Sequence, residues 1–279
     1  MRAGGRRLGI LLRSPQGMMG LLLVGALVLA AVAAPELAPH DPHLSRPAHA
    51  LAPPGGSFPL GTDALGQDIA SRVLWGARVS IAIALGAVAV AALVGVPVGA
   101  VAGWVGGWLE GLLMRLVDVM MALPSIVLAL TITAVLGRGI DNVILAVGLA
   151  EAPRFARQMR AAVLELKARD FVLASRALGA GALRLVVLHV LPGALPPLIV
   201  IATLGLGTAV LDAAGLGFLG LGAEPGTPEW GTMLSDNVDY LRDYPWICLY
   251  PGLAIALSVL GFNLLGDGVQ KALDPRQSP

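Results

Sequence analysis

The chain keeps its charges apart from its apolar residues. Glu151 to Arg184 holds ten charged residues, seven basic and three acidic, and the stretch that follows has none until Asp212. A central Arg or Lys costs about 2.5–3.5 kcal/mol on membrane-insertion scales, so such an island must lie outside any lipid its neighbours occupy. Five runs lack Asp, Glu, Lys and Arg altogether: Ser14–Pro35, Val79–Leu109, Val119–Gly137, Leu185–Leu211 and Tyr244–Gly266. Each comes near or above the ~20 residues with which a helix crosses a bilayer. Only 13% of the 279 residues are charged and 56% are hydrophobic, whereas a soluble domain carries about 25% charge. The fold class is therefore all-α and polytopic, spanning a membrane.

Charge placement sets the number of crossings. With five spans, the Arg-rich N-terminus and the island fall on opposite faces. A sixth span, from about Asn142 into the start of the island, puts both on one side. Fourteen of the 19 basic residues then lie on that side, leaving only Arg46, Arg72, Arg78, Arg138 and Arg242 on the other. By the positive-inside rule that side is cytoplasmic, with both termini inside. The expected organisation is an N-tail (1–17), a first span (18–35), an external loop (36–76), a five-helix core (77–270) and a C-tail (271–279). Within the core, 160–190 is an internal loop and 213–245 an external one.

Arg2, Arg6, Arg7 and Arg13 precede the first run, and Ala31-Val32-Ala33 resembles a processing site. The run exceeds a usual signal core, so a retained anchor is expected. In the loop after it, Asp63 is expected to cap a short amphipathic helix, Gln67 to Val73, lying on the outer surface. His40, His43 and His49 share this Pro-rich loop without the spacing of a metal site. Gly95, Gly99 and Gly103 recur every fourth residue, with Gly107 and Gly111 continuing the series. Such a stripe admits close packing, within the chain or against another subunit.

Polar residues at membrane depth are few. Asp118 is expected to pair with Arg115 and Glu151 with Arg154, each at i,i+3. Asp212 has no basic residue within a turn and, with Asn263, is the candidate lining of a polar path. The sorting of basic residues by side argues against nucleic acid as a partner. Neither of the two lysines stands in a phosphate-binding loop, and no HExxH or GxSxG occurs, so nothing supports an enzyme.

Within the island, Glu165–Leu178 reads as a helix ended by Gly179 in a left-handed turn. A second short helix, Ala182–Val190, leads to Pro192. The first would expose Phe171, Val172 and Leu173 in succession. It either lies on anionic lipid or docks on a protein.

The stretch ARDFVLASRALGAGALRLVVLHVLPGALPPLIV resembles the EAA loop of permease subunits of ATP-binding-cassette importers. LGTDALGQDIASRVLWGARVS (60–80), GGWLEGLLMRLVDVMMALPS (106–125), GLGFLGLGAEPGTPEWGTML (215–234) and PGLAIALSVLGFNLLGDGVQKALDPR (251–276) are similar to the second permease of the dipeptide/oligopeptide/nickel group. Two departures stand out: Leu173-Ala174-Ser175 replaces the common Glu-Ala-Ala, and Gln67 replaces a commonly basic residue.

The resemblance implies a type I importer permease fold in a bacterial inner membrane and one half of a heterodimeric pore. The other half would be a paralogous permease. Further partners would be two ATPase subunits, carrying the ATP and magnesium that this chain does not bind, and a periplasmic or lipid-anchored solute-binding protein. The cargo would be di- or oligopeptides or solutes such as nickel chelates. Asp170, Phe171, Leu173, Ala174, Arg176, Ala177, Leu178, Gly179 and Ala180 would form the coupling element against an ATPase. Trp230 and Asp236 would face the binding protein. A self-contained secondary transporter or channel is the alternative, and it calls for inverted repeats that the sequence does not display.

Overall fold

The computed structural model describes residues 9–273 and is all-helical. The far ends of both predicted tails, including Arg2, Arg6, Arg7 and Arg276, lie outside the described residues. The elements in order are α1 (Pro15–Leu37), α2 (Ile69–Val105), α3 (Gly107–Met121), α4 (Ser125–Leu136), α5 (Ile140–Lys167), α6 (Asp170–Ala177), α7 (Ala182–Phe218), α8 (Trp230–Asn237) and α9 (Trp246–Leu273). Four of them, α1, α2, α7 and α9, are long and apolar enough to cross a membrane. The pair α3–α4, bent by 93°, makes a fifth if counted as one span. The break follows from Leu123-Pro124, because the proline starts a new helix and cannot continue the old one.

The glycine stripe packs α2 along α5. A Cβ on Gly95 would strike the Ala152 carbonyl, one on Gly99 the Ala156 carbonyl, and one on Gly103 would come within 2.8 Å of Val163 Cβ. Gly148 of α5 answers from the other side, 2.6 Å from Val90 Cβ by the same construction. The residue numbers rise together, so the two helices run parallel. The contact is intramolecular and ends at Gly103: Gly106 and Gly107 adopt positive φ and break the helix, and Gly111 has open space beside it. A second close contact, antiparallel, joins α1 to α9 through Gly17 against Gly268 and Gly20 against the backbone of Leu264 and Leu265. Two buried clusters fill the bundle. One runs from Ile83 and Val147 to Leu216 and Trp230, and the other surrounds Phe155, Met159 and Val163.

Several local expectations are corrected. There is no separate surface helix beginning at Asp63. Asp68 is the N-cap, its Oδ2 accepting from Ser71 N at 3.1 Å, and the helix runs unbroken from Ile69 into the span. At 1.5 Å per residue, its 37 residues reach about 55 Å against an apolar layer of ~30 Å, so α2 protrudes. Asp63 instead closes the turn before it, accepting from Leu65 N and Gln67 N at 3.0 and 2.8 Å.

Glu165–Leu178 is two helices, parted at Ala168–Arg169. Ala182–Val190 is not a separate helix either. It is the start of α7, continued by a π turn over Val186–Val190, and the wider turn accommodates Pro192, which has no N–H to donate. Asp118 pairs across helices with Arg157 at 2.7 Å, and among the described residues no ion pair joins it to Arg115.

The α2–α5 contact yields a test. Gly99→Val is expected to destabilise the chain by about 1–3 kcal/mol through overpacking, whereas Gly111→Ala, inside α3 with open space beside it, is expected to leave stability unchanged or raise it by up to about 1 kcal/mol. Thermal unfolding in detergent followed by tryptophan fluorescence measures both, and equal midpoints would contradict the packing described.

Candidate functional site

Three constellations emerge from the helices. The first is the island. α5 brings its basic residues to the end of the bundle and pairs most of them. Arg154 meets Glu151 at 3.1 Å, Arg157 meets Asp118, Arg160 meets Glu110 at 2.5 Å, and Arg169 meets Glu165 at 2.5 Å. Lys167 donates to the Trp104 carbonyl at 2.6 Å and lies over its ring. Among the described residues, Arg176 and Arg184 have no ion-pair partner.

Asp170 begins α6, where a carboxylate suits the positive end of the helix. α6 closes in a Schellman turn: Ala180 N donates to Ser175 O at 3.1 Å, Gly179 N donates to Arg176 O at 3.0 Å, and Gly179 sits at φ +87°. The expected left-handed glycine is thus in place.

The exposed apolar set differs from expectation. Val172 is 1% exposed, because the helical period turns it inward, while Phe171 and Leu173 are 47% and 49% exposed. Leu178 and Leu183 extend the outward face, and Phe171 meets His189 edge-on at 6.1 Å between ring centres. Ala174, Arg176 and Ala177 are also exposed. The result is an apolar ledge flanked by basic residues, held between two helices that enter the bundle.

The second constellation lies at the middle of the bundle. Asp212 of α7 is buried, with Ser125 of the first turn of α4 nearby. Glu151 and Arg154 of α5 are near enough to act on it electrostatically. Asn263 does not join them. It lies exposed beside Gly207, more than a turn away along α7.

The third is at the opposite end from the island. Arg72, fully buried in the first turn of α2, reaches Gln67 Oε1, the carbonyls of Pro42 and Gly226 at 3.3 Å, and Asp63 Oδ2 at 3.5 Å. Burial pushes the Asp63 carboxyl above its usual range, against the pull of Arg72. The 38–68 loop is thereby tied both to α2 and to the segment before α8. Gln67, a departure in sequence, is part of this knot.

Glu229 caps α8, its oxygens accepting from Gly231 N at 2.9 Å, Thr232 N at 2.8 Å and Thr232 Oγ at 3.0 Å. Sequence reading missed Glu229. Its signal was weak, an acid standing before Trp230-Gly231-Thr232, because Glu is not among the residues preferred at an N-cap. Trp230 is not a surface residue: it is buried, with its indole N–H donated to Val73 O at 3.0 Å. Asp236 is exposed, beside Val238, Tyr240 and Leu241.

Residues 95–279 match the family described as binding-protein-dependent transport system inner membrane component. The chain belongs to that family. Residues 8–54 of this transport component also match the N-terminal TM domain of oligopeptide transport permease C. It is 48% identical over 263 residues to the di/tripeptide transport system permease protein DppC of Pseudomonas aeruginosa, covering 92% of this chain and 87% of the relative. It is also 48% identical over 270 residues to the dipeptide transport system permease protein DppC of Escherichia coli K12, covering 95% and 90%. The glutathione transport system permease protein GsiD of an Escherichia coli strain is 46% identical over 78% of this chain and 72% of its own.

Among solved structures, an inward-facing form of the MetNI methionine ABC transporter aligns at a TM-score of 0.61 and 23% identity. The alignment covers 73% of this chain and 96% of that one, and it speaks to the fold alone.

Burial pushes the Glu229 carboxyl above its ordinary value of 4.5, outweighing its four donors, with Ser80 the last of them. A folded-state pKa above the unfolded one means that the folded protein takes up the proton first. Stability then rises as pH falls from the raised value toward 4.5, and falls as pH rises through that window. Glu229→Gln is expected to remove this contribution. The gap between the unfolding midpoints of wild type and variant should therefore change across that window, and a pH-independent difference would contradict the burial.

Proposed function

We propose that this chain is one of two permease subunits of an ATP-driven importer for dipeptides or short oligopeptides. The observation that carries the reading is the 48% identity to dipeptide permeases over nine-tenths of the chain. Six spans place both termini and the island in the cytoplasm, with α5 as the span whose basic residues begin only at Arg154, past its middle. Its cargo-facing half is built with a paralogous permease, and a solute-binding protein delivers peptide to the outer face around Asp236. Two ATPase subunits carry ATP and magnesium.

The α6 ledge supports the coupling role. Phe171, Leu173 and Leu178 supply apolar area for an ATPase groove, and Arg176 supplies a charge that no described residue of this chain neutralises. Leu173 in place of the family's acid shifts that contact from polar to apolar. ATP binding draws the ATPases together, and the docked α6 passes the motion to α5 and α7, which flank it. Such a device needs two packings with a small energy gap and no chemistry in this chain.

Affinity purification of the tagged chain from its host, followed by reconstitution, tests the proposal. Recovery of a second permease and two ATPases, with ATP-dependent uptake of dialanine, is the expected result. A lone chain that transports without ATPases would refute it. Gly179→Asp strains a left-handed position by about 1–2 kcal/mol and displaces the ledge. It is expected to leave the complex assembled while the binding protein no longer stimulates ATP turnover; wild-type stimulation would remove α6 from the coupling path.

A further inference from the structure

α2 carries an exposed arginine where the apolar layer begins. Arg78 lies over the Trp75 ring, 5.0 Å from its centre, and among the described residues no carboxylate pairs with it. Its depth follows from α1. The 23 residues Pro15–Leu37 reach about 34 Å, so the ends of α1 stand at the two boundaries of a ~30 Å layer. Trp75 lines one pocket with Pro35 and Ala38, at the end of α1, which sets its ring at the boundary. Arg78 is three residues further along α2, about 4.5 Å toward the middle of the layer. A guanidinium at that level reaches for a polar partner while its stem and a neighbouring tryptophan stay among apolar groups.

The surface around Arg78 presents three chemistries in a fixed order. Toward the middle of the layer, Ala82, Leu85 and Ala89 follow it at helical spacing, and all three are exposed. From Arg78 to Ala89 is about 16 Å, close to the depth of one leaflet. Away from the layer, the Trp75 ring leads to a cavity of about 520 Å³ whose walls include Asp41 and His43. Asp41 is exposed, accepts from His43 N at 2.8 Å, and has no ion-pair partner among the described residues. An apolar strip, a cation and a carboxylate thus succeed one another outward. An acyl chain, a phosphate and an ammonium succeed one another in the same order in a phospholipid with an amine headgroup. The charges close: Arg78 and Asp41 sum to zero, and so do the phosphate and a primary ammonium. A headgroup without the ammonium would bring a phosphate beside Asp41 and leave that carboxylate uncompensated.

We propose that the outer end of α2 and the 38–43 segment hold a phosphatidylethanolamine molecule, with its phosphate on Arg78, its ammonium on Asp41 and an acyl chain along Ala82, Leu85 and Ala89. α1 flanks the site and leaves Leu22, Leu29 and Val32 exposed, so this side of the bundle is a rim that lipid reaches laterally. Arg72 already ties the 38–43 segment to α2 from within, through the Pro42 carbonyl. The lipid ties the same two pieces from the membrane side. The assignment rests on the orientation given with the importer reading, which makes the leaflet the outer one, and it concerns lipid rather than cargo.

The test uses the complex purified from its host membrane, stripped of lipid in mild detergent and offered equal amounts of dioleoyl-phosphatidylethanolamine and dioleoyl-phosphatidylglycerol. Native mass spectrometry counts each retained lipid and gives the subunit composition in the same spectrum. Wild type is expected to retain the ethanolamine lipid in preference. Arg78→Gln is expected to retain it about tenfold less, and Asp41→Asn to keep a phospholipid but lose the preference. Arg138→Gln, another exposed arginine, is expected to match wild type. Equal retention by wild type and Arg78→Gln overturns the assignment, as does an equal loss in Arg138→Gln. Loss of a companion permease from Arg78→Gln with lipid retention unchanged also overturns it, because the face is then a subunit contact. If Arg78→Gln is not recovered folded, Asp41→Asn decides, and an unaltered preference overturns the assignment. Failure of the importer reading shows separately, as wild type without companion subunits. Orientation is read by Leu44→Cys, which is expected to react with a membrane-impermeant maleimide in intact spheroplasts. Labelling only after permeabilisation would refute the orientation and the outer leaflet with it, whatever the lipid counts.

Discussion

The parallel contact between α2 and α5 is the constraint from which the other features hang. Three glycines of α2 and one of α5 remove the side chains that would hold two backbones apart, so dispersion contacts replace them along four turns. The contact fixes the depth of α5, a helix whose second half is too charged to count as an apolar span on its own. Once α5 is held there, its arginines fall beside Glu110 and Asp118 of α3 and its glutamate beside Asp212 of α7. Moving α5 by one turn would leave several of these groups without partners at once.

The same helix links the two ends of the proposed transport cycle. α5 enters the island and α7 leaves it, and these two helices also carry Glu151 and Asp212. Between them the chain is short and well defined: a break at Ala168–Arg169, eight residues of α6, a Schellman turn at Gly179, and a π turn before Pro192. At the far end, α2 stands above the apolar layer and is knotted by Arg72 to the 38–68 loop and the segment before α8. That knot makes the outer loops one unit with the helix that α5 packs against.

Much of this was legible in the sequence. The uncharged runs located the long helices, because charge is so costly in lipid that a stretch of ~20 residues without it marks a crossing. The glycine spacing in α2, the proline break at Pro124, the Glu151–Arg154 pair and the left-handed Gly179 each follow from a local rule. Local rules failed where two of them competed. Asp63 and Asp68 are both credible caps, and only the tertiary knot around Arg72 assigns Asp63 to a turn. Pro192 reads as a helix stop unless a π turn precedes it.

The sequence by itself determined the fold class, the crossings of the apolar helices, the position of the island and the turn that ends α6. It did so because each depends on a residue's own chemistry or on neighbours within a turn. Only the tertiary structure decided which face of each helix is covered. An apolar residue such as Trp230 or Val172 satisfies lipid, a partner and the chain's own core equally well in a pattern, and burial against Val73 or within the island separates them. It also decided which charges meet. Asp118 was a turn from Arg115 and chose Arg157, 39 residues away, because helix packing set the geometry of an ion pair that chain proximity did not.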